Sequence, residues 1–361
     1  MRIAVLTSGG VDSSVALRLL EEQDHQVTAF YLKIWLDQST AHLGQASCPW
    51  EEDLEHIRNV CREAYIDFEV LSMGKAYYEK VVEETITEVR AGRTPNPDVF
   101  CNNRIKFGLF LNQITGFDQV ATGHYAQTRK VHGKTHLVAT PDAVKDQTYF
   151  LAGIPSHKLE TVVFPIGHLM KPQVRQLARV YNLSNQSRKD SQGICFLGKL
   201  KYSDFLKHYL GVRPGIFLEE ETNQKLGVHQ GFWFYTPGQR HGIGLGGGPW
   251  YVVRKNPEED IVYISRRYQE VIRRNFLITD CNWFSGEPPV TDTLEVKLRH
   301  GPFRHRCKLR NSEVILESQD QGIAEGQIAV FYDQDLCLGS GRIIHQSEAK
   351  NSSPQKTSDC L

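Results

Sequence analysis

Among the eight cysteines, at positions 48, 61, 101, 195, 281, 307, 337 and 360, no two have C-x-x-C spacing. That speaks against a zinc ribbon and against a disulfide framework, and in a reducing compartment most of these thiols read as small buried apolar groups. Cys360 is second from the end, where a prenylation box would need it fourth. Net charge is lacking too: 42 basic side chains balance 42 acidic ones, so no global field draws the chain onto nucleic acid. Any such binding has to come from local patches. Neither an apolar run of membrane-spanning length nor a basic-then-apolar leader is present, and the expectation is a soluble, cytoplasmic protein. No internal repeat is visible. The length of 361 residues predicts two or three domains, each with a substantial core.

What is present starts at once. Residues 3–20 read IAVLTSGGVDSSVALRLL. Residues 3–6 are short, β-branched and apolar, as a strand buried on both faces should be, whereas Val11, Val15, Leu19 and Leu20 recur at helical spacing. The polar stretch between them is therefore a strand-to-helix turn. Gly9 and Gly10 can take positive φ, which would let successive N–H groups point into one concavity at a helix start. Such a concavity is an anion site, with phosphate as the expected anion. The turn lacks the Lys-Ser/Thr pair of a P-loop and the G-x-G-x-x-G of a dinucleotide site. Ser8, Ser13 and Ser14 could donate to phosphate oxygens; Asp12 could not, and would orient the loop or help hold a metal on the phosphates. A serine-capped helix without a ligand is the plain alternative.

Up to about residue 205, strand-like segments (3–6, 27–32, 68–71, 119–122) alternate with helical ones (11–23, 51–64, 76–91, 104–115). That rhythm predicts an α/β fold with a doubly wound parallel sheet, in which ligands sit at the carboxyl ends of the strands. The turn at 8–13 and the TGHYA stretch at 122–126 would then share one pocket. Beyond 205 the texture changes to short strands, aromatics and glycine turns, which predicts a small mixed domain over 206–275, an all-β barrel-like domain over 276–345 and a disordered polar tail from 346 on. Gly242, Gly244 and Gly247 match G-x-G-x-x-G, but Pro249, Trp250 and a valine-rich strand follow where a helix is required. A glycine-rich hairpin or hinge is the reading there.

Two cysteines keep unusual company. Cys101 lies in RTPNPDVFCNNRIKF, where two prolines would keep the backbone out of a helix until after the cysteine, with Asp98 just before it and Arg104 and Lys106 just after. A helix starting near Asn102 would set its positive end beside the sulfur and favour thiolate. Cys195 lies in SRKDSQGICFLG, between glycines and after a charged cluster. Either alone could be a buried structural residue; two such loops in one α/β domain tilt the reading toward redox or sulfur chemistry.

In order and over nearly the whole chain, SGGVDSS, AGRTPNPDVFCNNRIKF, ATGHYA, KDQTYFL, FPIGHLMKPQVRQLA, KDSQGICFLG, HQGFWFYTPGQRHGIGLGG and PWYVV resemble the bacterial tRNA-specific 2-thiouridylases, within the PP-loop ATP pyrophosphatases. Residues 37–50 and the tail match poorly. The resemblance implies that ATP, with Mg2+, adenylates the C2 oxygen of the wobble uridine in the tRNAs for Lys, Glu and Gln, and that sulfur then replaces that oxygen. By the same implication Cys195 holds a persulfide delivered by a cysteine desulfurase or sulfur-relay protein. Cys101 then releases the sulfur as sulfide or resolves the intermediate as a transient Cys101–Cys195 disulfide. Asp98 is placed as general acid or base. Leu6, Thr7, Ser8, Gly9, Gly10, Val11, Asp12, Ser13 and Gly123 would line the ATP site, with Leu32 against adenine; the family often has Met there, a change of similar volume. Asn96, Pro97 and Asp98 would contact the flipped base, and His124, Lys145, Asp146, Gln147, Arg299, His300 and Gln327 the tRNA.

The hairpin EVKLRHGPFRHRCKLR agrees on its own terms. A Gly301-Pro302 turn joins two strands, with Lys297 and Arg299 alternating against Val296 and Leu298, and Arg304, Arg306, Lys308 and Arg310 against Phe303, Cys307 and Leu309. One basic face could grip phosphates locally; an edge strand protected by charge is the alternative. Three rivals stay open: another PP-loop enzyme making a metabolite, a non-catalytic tRNA-binding protein, and thiolation through an iron-sulfur cluster on Cys101 and Cys195.

Overall fold

The computed structural model describes residues 1–34, 49–190, 201–267, 273–290 and 294–344. The expected tail and the poorly matched 37–48 stretch lie outside them, as does Cys195.

The first strand, β1 (Arg2–Leu6), is buried from Ile3 onward and lies between β2 (Gln26–Lys33) and the later β4 (Gln119–Thr122), all parallel. Outside β2 runs β3 (Asp67–Ser72). The helix Val11–Glu22 covers one face by burying Val11, Val15, Leu17 and Leu20 in a cluster with Val174 and Ala178 of helix Lys171–Val180. Each such side chain contributes about 1.5–3 kcal/mol of hydrophobic stabilisation, so the turn between β1 and its helix is braced from below. Ala4, Leu6 and Phe30 face the other way, into a cluster with Val81, Ile86, Cys101, Ile105 and Phe110. Parallel strands covered on both faces are the doubly wound arrangement that the sequence rhythm predicts.

A helical run follows β3 from Gly74 to Arg90, π-helical over Tyr78–Val82. After it comes Pro97–Phe100, continuing as a π-helical stretch Cys101–Phe110. Beyond β4, the hairpin β5 (Gln127–Val131) and β6 (Lys134–Val138) leaves the sheet, and β7 (Val162–Val163) closes it beside β4, giving the order β3-β2-β1-β4-β7.

Helix Tyr202–Leu210 leads into a small sheet of β8 (Gly215–Glu219), β9 (Lys225–His229), β10 (Tyr251–Asn256) and β11 (Ile261–Ser265), in the order β10-β11-β8-β9. Gly242, Gly244 and Gly247 all have positive φ in the irregular chain before β10, as turn glycines do. The last strands are β12 (Arg273–Trp283), β13 (Leu294–Lys297), β14 (His305–Arg310), β15 (Glu313–Asp320), β16 (Ile328–Asp333) and β17 (Leu336–Ile344). Their order, β12-β15-β14-β13-β16-β17, closes on itself through β12–β17, so these six antiparallel strands form a barrel.

One connection has no sequence signature. The β5–β6 hairpin of the first segment joins the barrel through Val138 opposite Leu336, and a shared core of Phe107, Tyr149, Leu151, Phe284, Val330, Tyr332 and Cys337 spans the join. The barrel is packed onto the first domain rather than tethered beside it.

Candidate functional site

At the carboxyl end of β1 the chain turns through Thr7, Ser8, Gly9 and Gly10 into helix Val11–Glu22. Thr7 is tied to β2, its N–H and hydroxyl both donating to the Phe30 carbonyl. Of the two glycines only Gly9 uses the left-handed region, with φ +71°; Gly10 is extended, as a helix N-cap should be. A Cβ on Gly9 would also lie 2.8 Å from the Asp53 backbone, so the position is doubly closed to other residues. Inside the turn the Ser8 N–H donates to Ser13 Oγ at 3.2 Å, and the Ser13 and Ser14 hydroxyls both donate to the Gly10 carbonyl at 3.0 Å.

TGHYA meets this turn, as two strand ends side by side in one parallel sheet must. Gly123 follows β4, and a Cβ there would stand 2.7 Å from Ser13 N. Tyr125 donates its hydroxyl to Asp12 Oδ1 at 2.9 Å, and burial together with the Asp12 charge pushes its phenol well up. His124 is bonded to Thr122 through Nδ1, 2.8 Å, and lies edge-on to Phe164; burial and then Lys106 depress its pKa, so the ring is neutral. Leu32, near the end of β2, packs partly buried on the cluster that holds Leu6 and Cys101.

Asp12 is held by more than Tyr125. Lys171 Nζ donates to both its carboxylate oxygens, 2.7 and 2.9 Å, and also pairs with Asp190 at 2.8 Å. Asp190 in turn takes Lys145 at 2.6 Å and Arg175 at 2.5 Å. Burial alone would raise the Asp190 carboxyl, but the Lys145 and Lys171 hydrogen bonds outweigh it and hold the group below the ordinary carboxylate range. Just before it, Asn185 donates to the Gly9 carbonyl and Ser14 Oγ, both 2.9 Å, and Arg188 bridges the Gly9 carbonyl, 2.9 Å, and Asp53, 2.6 Å. Four cations, Lys145, Lys171, Arg175 and Arg188, and three carboxylates, Asp12, Asp53 and Asp190, therefore converge on the mouth of the turn. That is a ready set of partners for a polyphosphate, which would compete with Asp12 and Asp190 for the same ammonium and guanidinium groups.

Lys171, Arg175 and Asp190 are not among the residues that the sequence pattern singles out, although all three lie in stretches that carry the family resemblance. A signal was available: Lys171 is the first residue of helix Lys171–Val180, where a cation opposes the helix dipole and so has some other purpose. Lys145, expected on the tRNA, belongs to this charged cluster. Gln147 braces the site, its Oε1 accepting from the Tyr125 N–H at 2.9 Å.

The second region surrounds Cys101. The expected helix start near Asn102 is corrected: the helix begins at Pro97, capped by Asn96, whose Oδ1 accepts from the N–H groups of Asp98, 3.2 Å, and Val99, 3.4 Å. Pro97 starts the helix rather than forbidding it, because its fixed φ suits the first position and its missing N–H had no partner there. Cys101 accordingly lies one turn inside the helix, buried, and the positive helix end faces Asp98 rather than the sulfur.

On the barrel, two expectations for the basic hairpin fail. Lys297, expected on a basic outer face, is fully buried and donates to Asp146 at 2.5 Å, while Phe303, expected on the apolar face, is exposed. β13 is covered on both sides, by the barrel interior and by the first domain, so strict alternation there no longer separates inside from outside. Asp146 also accepts from the Thr148 hydroxyl at 2.8 Å; its carboxylate is 1% exposed, which leaves no surface for the tRNA contact expected of it. Arg299 is half-exposed and bidentate to Asp320, 2.8 Å on both bonds, and His300 stacks on Phe150 with ring centres 4.8 Å apart. Gln327 receives the Tyr149 hydroxyl at 3.1 Å.

A parallel sheet with a glycine-serine turn clamped to a lysine-aspartate cluster at its carboxyl edge, carrying a small second sheet and a six-stranded barrel, defines a PP-loop-type nucleotide-binding protein. Three family models match in succession: the tRNA methyl transferase HUP domain over residues 1–199, the tRNA methyl transferase PRC-barrel domain over 203–266 and the aminomethyltransferase beta-barrel domain over 273–343. A tRNA-specific 2-thiouridylase MnmA of Parabacteroides distasonis is 45% identical over 96% of this chain and 100% of its own. One from Bacteroides thetaiotaomicron is 44% identical over 95% and 99%, and one from Porphyromonas gingivalis 44% over 95% and 99%. The chain belongs to the tRNA-specific 2-thiouridylase family. A solved 4-thiouridine synthetase–RNA complex with bound ATP aligns at 16% identity over 58% of this chain and 50% of that one, with a TM-score of 0.34.

Proposed function

We propose that this protein is a tRNA-uridine 2-sulfurtransferase that uses ATP to exchange the C2 oxygen of a wobble uridine, in tRNAs for Lys, Glu and Gln, for sulfur. The observation that carries this reading is the common seat of the two halves of the chemistry. Leu6 at the glycine turn and Cys101 belong to one apolar cluster, and Leu32 and Phe100 pack against that cluster. A nucleotide over Leu32 and a base beside Asp98 and Cys101 would therefore meet at the same edge of the sheet.

In this scheme the turn 8–13 cradles the phosphates, with Lys171 and its neighbours drawing charge toward the pyrophosphate side. Asp12 and Asp190 are the carboxylates that would hold Mg2+ on the phosphates, matching the one or two carboxylates plus phosphate oxygens that this ion prefers. It would supply charge neutralisation there. The uridine C2 oxygen attacks the α-phosphorus and pyrophosphate leaves, turning a poor leaving group into AMP. The outer sulfur of a Cys195 persulfide, supplied by a cysteine desulfurase or relay protein, then attacks C2 and AMP departs with the oxygen. Cys101 thiolate attacks the Cys195 sulfur, leaving the outer sulfur on C2 and a Cys101–Cys195 disulfide that a thiol reductant reopens. Asp98 handles the proton at the uracil ring, and His124, neutral, walls the pocket. Arg299, His300 and Gln327 hold the tRNA on the barrel, where the extruded base of an anticodon loop costs only a few kcal/mol to unstack.

The test is mass spectrometry of nucleosides from the three tRNAs after incubation with the protein, ATP and a persulfide source. 2-Thiouridine at the wobble position, dependent on ATP, is the expected product; its absence with loaded persulfide would overturn the reading.

A further inference from the structure

The loop that precedes the Cys101 helix is held from outside its own domain. Glu88 anchors its start: Arg93 forms two 2.7 Å hydrogen bonds to the Glu88 carboxylate, and Arg342, from β17 of the barrel, reaches the same carboxylate at 3.5 Å. Arg342 is oriented by Asp280 of β12 at 2.9 Å. Thr94 donates its N–H to the Glu325 carbonyl of the barrel at 2.6 Å. Gly326, buried and at φ +86°, lies directly beneath: an added Cβ would stand 2.9 Å from Arg93 Cβ and 3.0 Å from Thr94 N. The Gly326 turn is itself tied into β17, by Gly326 N–H to the Ile343 carbonyl, 3.0 Å, and Ile343 N–H to the Gln327 carbonyl, 2.8 Å.

Beyond Thr94 little can absorb a displacement. Pro95 and Pro97 fix their own φ and restrict the residue before them, and Asn96 between them is locked by its cap bonds to Asp98 and Val99. A shift at Thr94 therefore passes to Asp98 nearly undiminished. The same turn carries Gln327, so the part of the barrel offered to tRNA and the loop offered to the base are one mechanical unit.

We propose that the barrel turn at 324–327, together with the Glu88–Arg93–Arg342 cluster, sets the position of the Asn96–Asp98 loop, making Gly326 and Glu88 positioning residues for sulfur transfer although neither touches substrate. This rests on the thiolation reading. Misplacing a reacting group by about 1 Å can cost on the order of 100-fold in rate.

Gly326→Ala is the probe, with Gly286→Ala as its matched control. Gly286 is also a positive-φ glycine of the barrel, φ +91°, but no atom of the described residues lies within 4 Å of its added Cβ, so it carries the backbone strain without the push on Thr94. The expected result is a 10- to 100-fold loss of kcat for thiolation in Gly326→Ala, with KM for tRNA and ATP affinity changed by less than about twofold, and a kcat near wild type in Gly286→Ala. Glu88→Gln, which keeps the shape of the anchor and weakens its hold on Arg93, is expected to lower kcat in the same selective way. It decides the matter alone if Gly326→Ala does not fold. Equal kcat in the two glycine variants, or a loss confined to KM, would overturn the proposal while wild-type turnover leaves the thiolation reading standing.

Discussion

Lys171 is bonded to two carboxylates at once, and that redundancy makes Asp12 a clean target. In Asp12→Ala the lysine keeps Asp190 at 2.8 Å and Tyr125 loses one charge-assisted hydrogen bond, so the stability loss should be about 1.5–3 kcal/mol, read from a urea midpoint. Function should suffer far more: ATP-dependent transfer of AMP to tRNA is expected to stop even with persulfide already loaded, as followed by labelled AMP on the tRNA. Asp190 gives a second measurement. Its folded pKa lies below the ordinary carboxylate value, so it stabilises the fold above that value and the contribution fades as pH falls through it toward the folded pKa. Wild type should therefore lose stability relative to Asp190→Asn as pH drops below about 4, and parallel curves for the two proteins would contradict the pairing.

At the scale of elements, β13 shows what a linear pattern can and cannot reveal. The alternation around 294–299 is real, yet Lys297 points into the joint between barrel and first domain, because a covered strand has no outer face. Its partner Asp146 lies 151 positions away, a separation that no local period encodes. β1, β2, β3 and β4 were legible because a parallel sheet buried on both faces writes short β-branched runs into the chain, and the glycine turn was legible because a positive φ and a close backbone approach leave glycine at Gly9 and Gly123. The helix start at Pro97 was misread because proline both opens and breaks helices, and only the Asn96 cap decides which. Lys297→Met should cost about 3–5 kcal/mol, since it strands a buried carboxylate with only the Thr148 hydroxyl and backbone N–H for company; adding Asp146→Leu should restore part of that loss in the same denaturation assay. Arg299→Ala, on the half-exposed end of the same segment, should lower the salt slope of tRNA binding by about one unit and leave ATP affinity alone.

For the whole molecule, the distribution of cysteines over three packed units decides which thiols can take part in exchange. Burial pushes the thiols of Cys61, Cys307 and Cys337 up to about 12, whereas Cys281 is exposed on β12. At neutral pH the three buried thiols are thiolate in only about one part in 100,000, too little to compete in disulfide exchange. Cys61 lies in the helix packed on β2, and Cys281, Cys307 and Cys337 lie in the barrel wall. Cys101 is buried as well, and what sets it apart is its place next to the Asn96–Asp98 loop, where the proposed route needs it to pair with Cys195. A single turnover without reductant should thus leave one cross-link, Cys101–Cys195, with Cys61, Cys281, Cys307 and Cys337 alkylated after denaturation, as read by peptide mapping. Cys195→Ser should abolish the cross-link and thiolation while AMP transfer to tRNA continues, because the proposed route places activation before sulfur attack. Loss of AMP transfer in a folded Cys195→Ser protein would reverse that order. If instead both thiols remain reduced after turnover, and anaerobically prepared protein carries stoichiometric iron and sulfide, sulfur travels through a cluster rather than a persulfide.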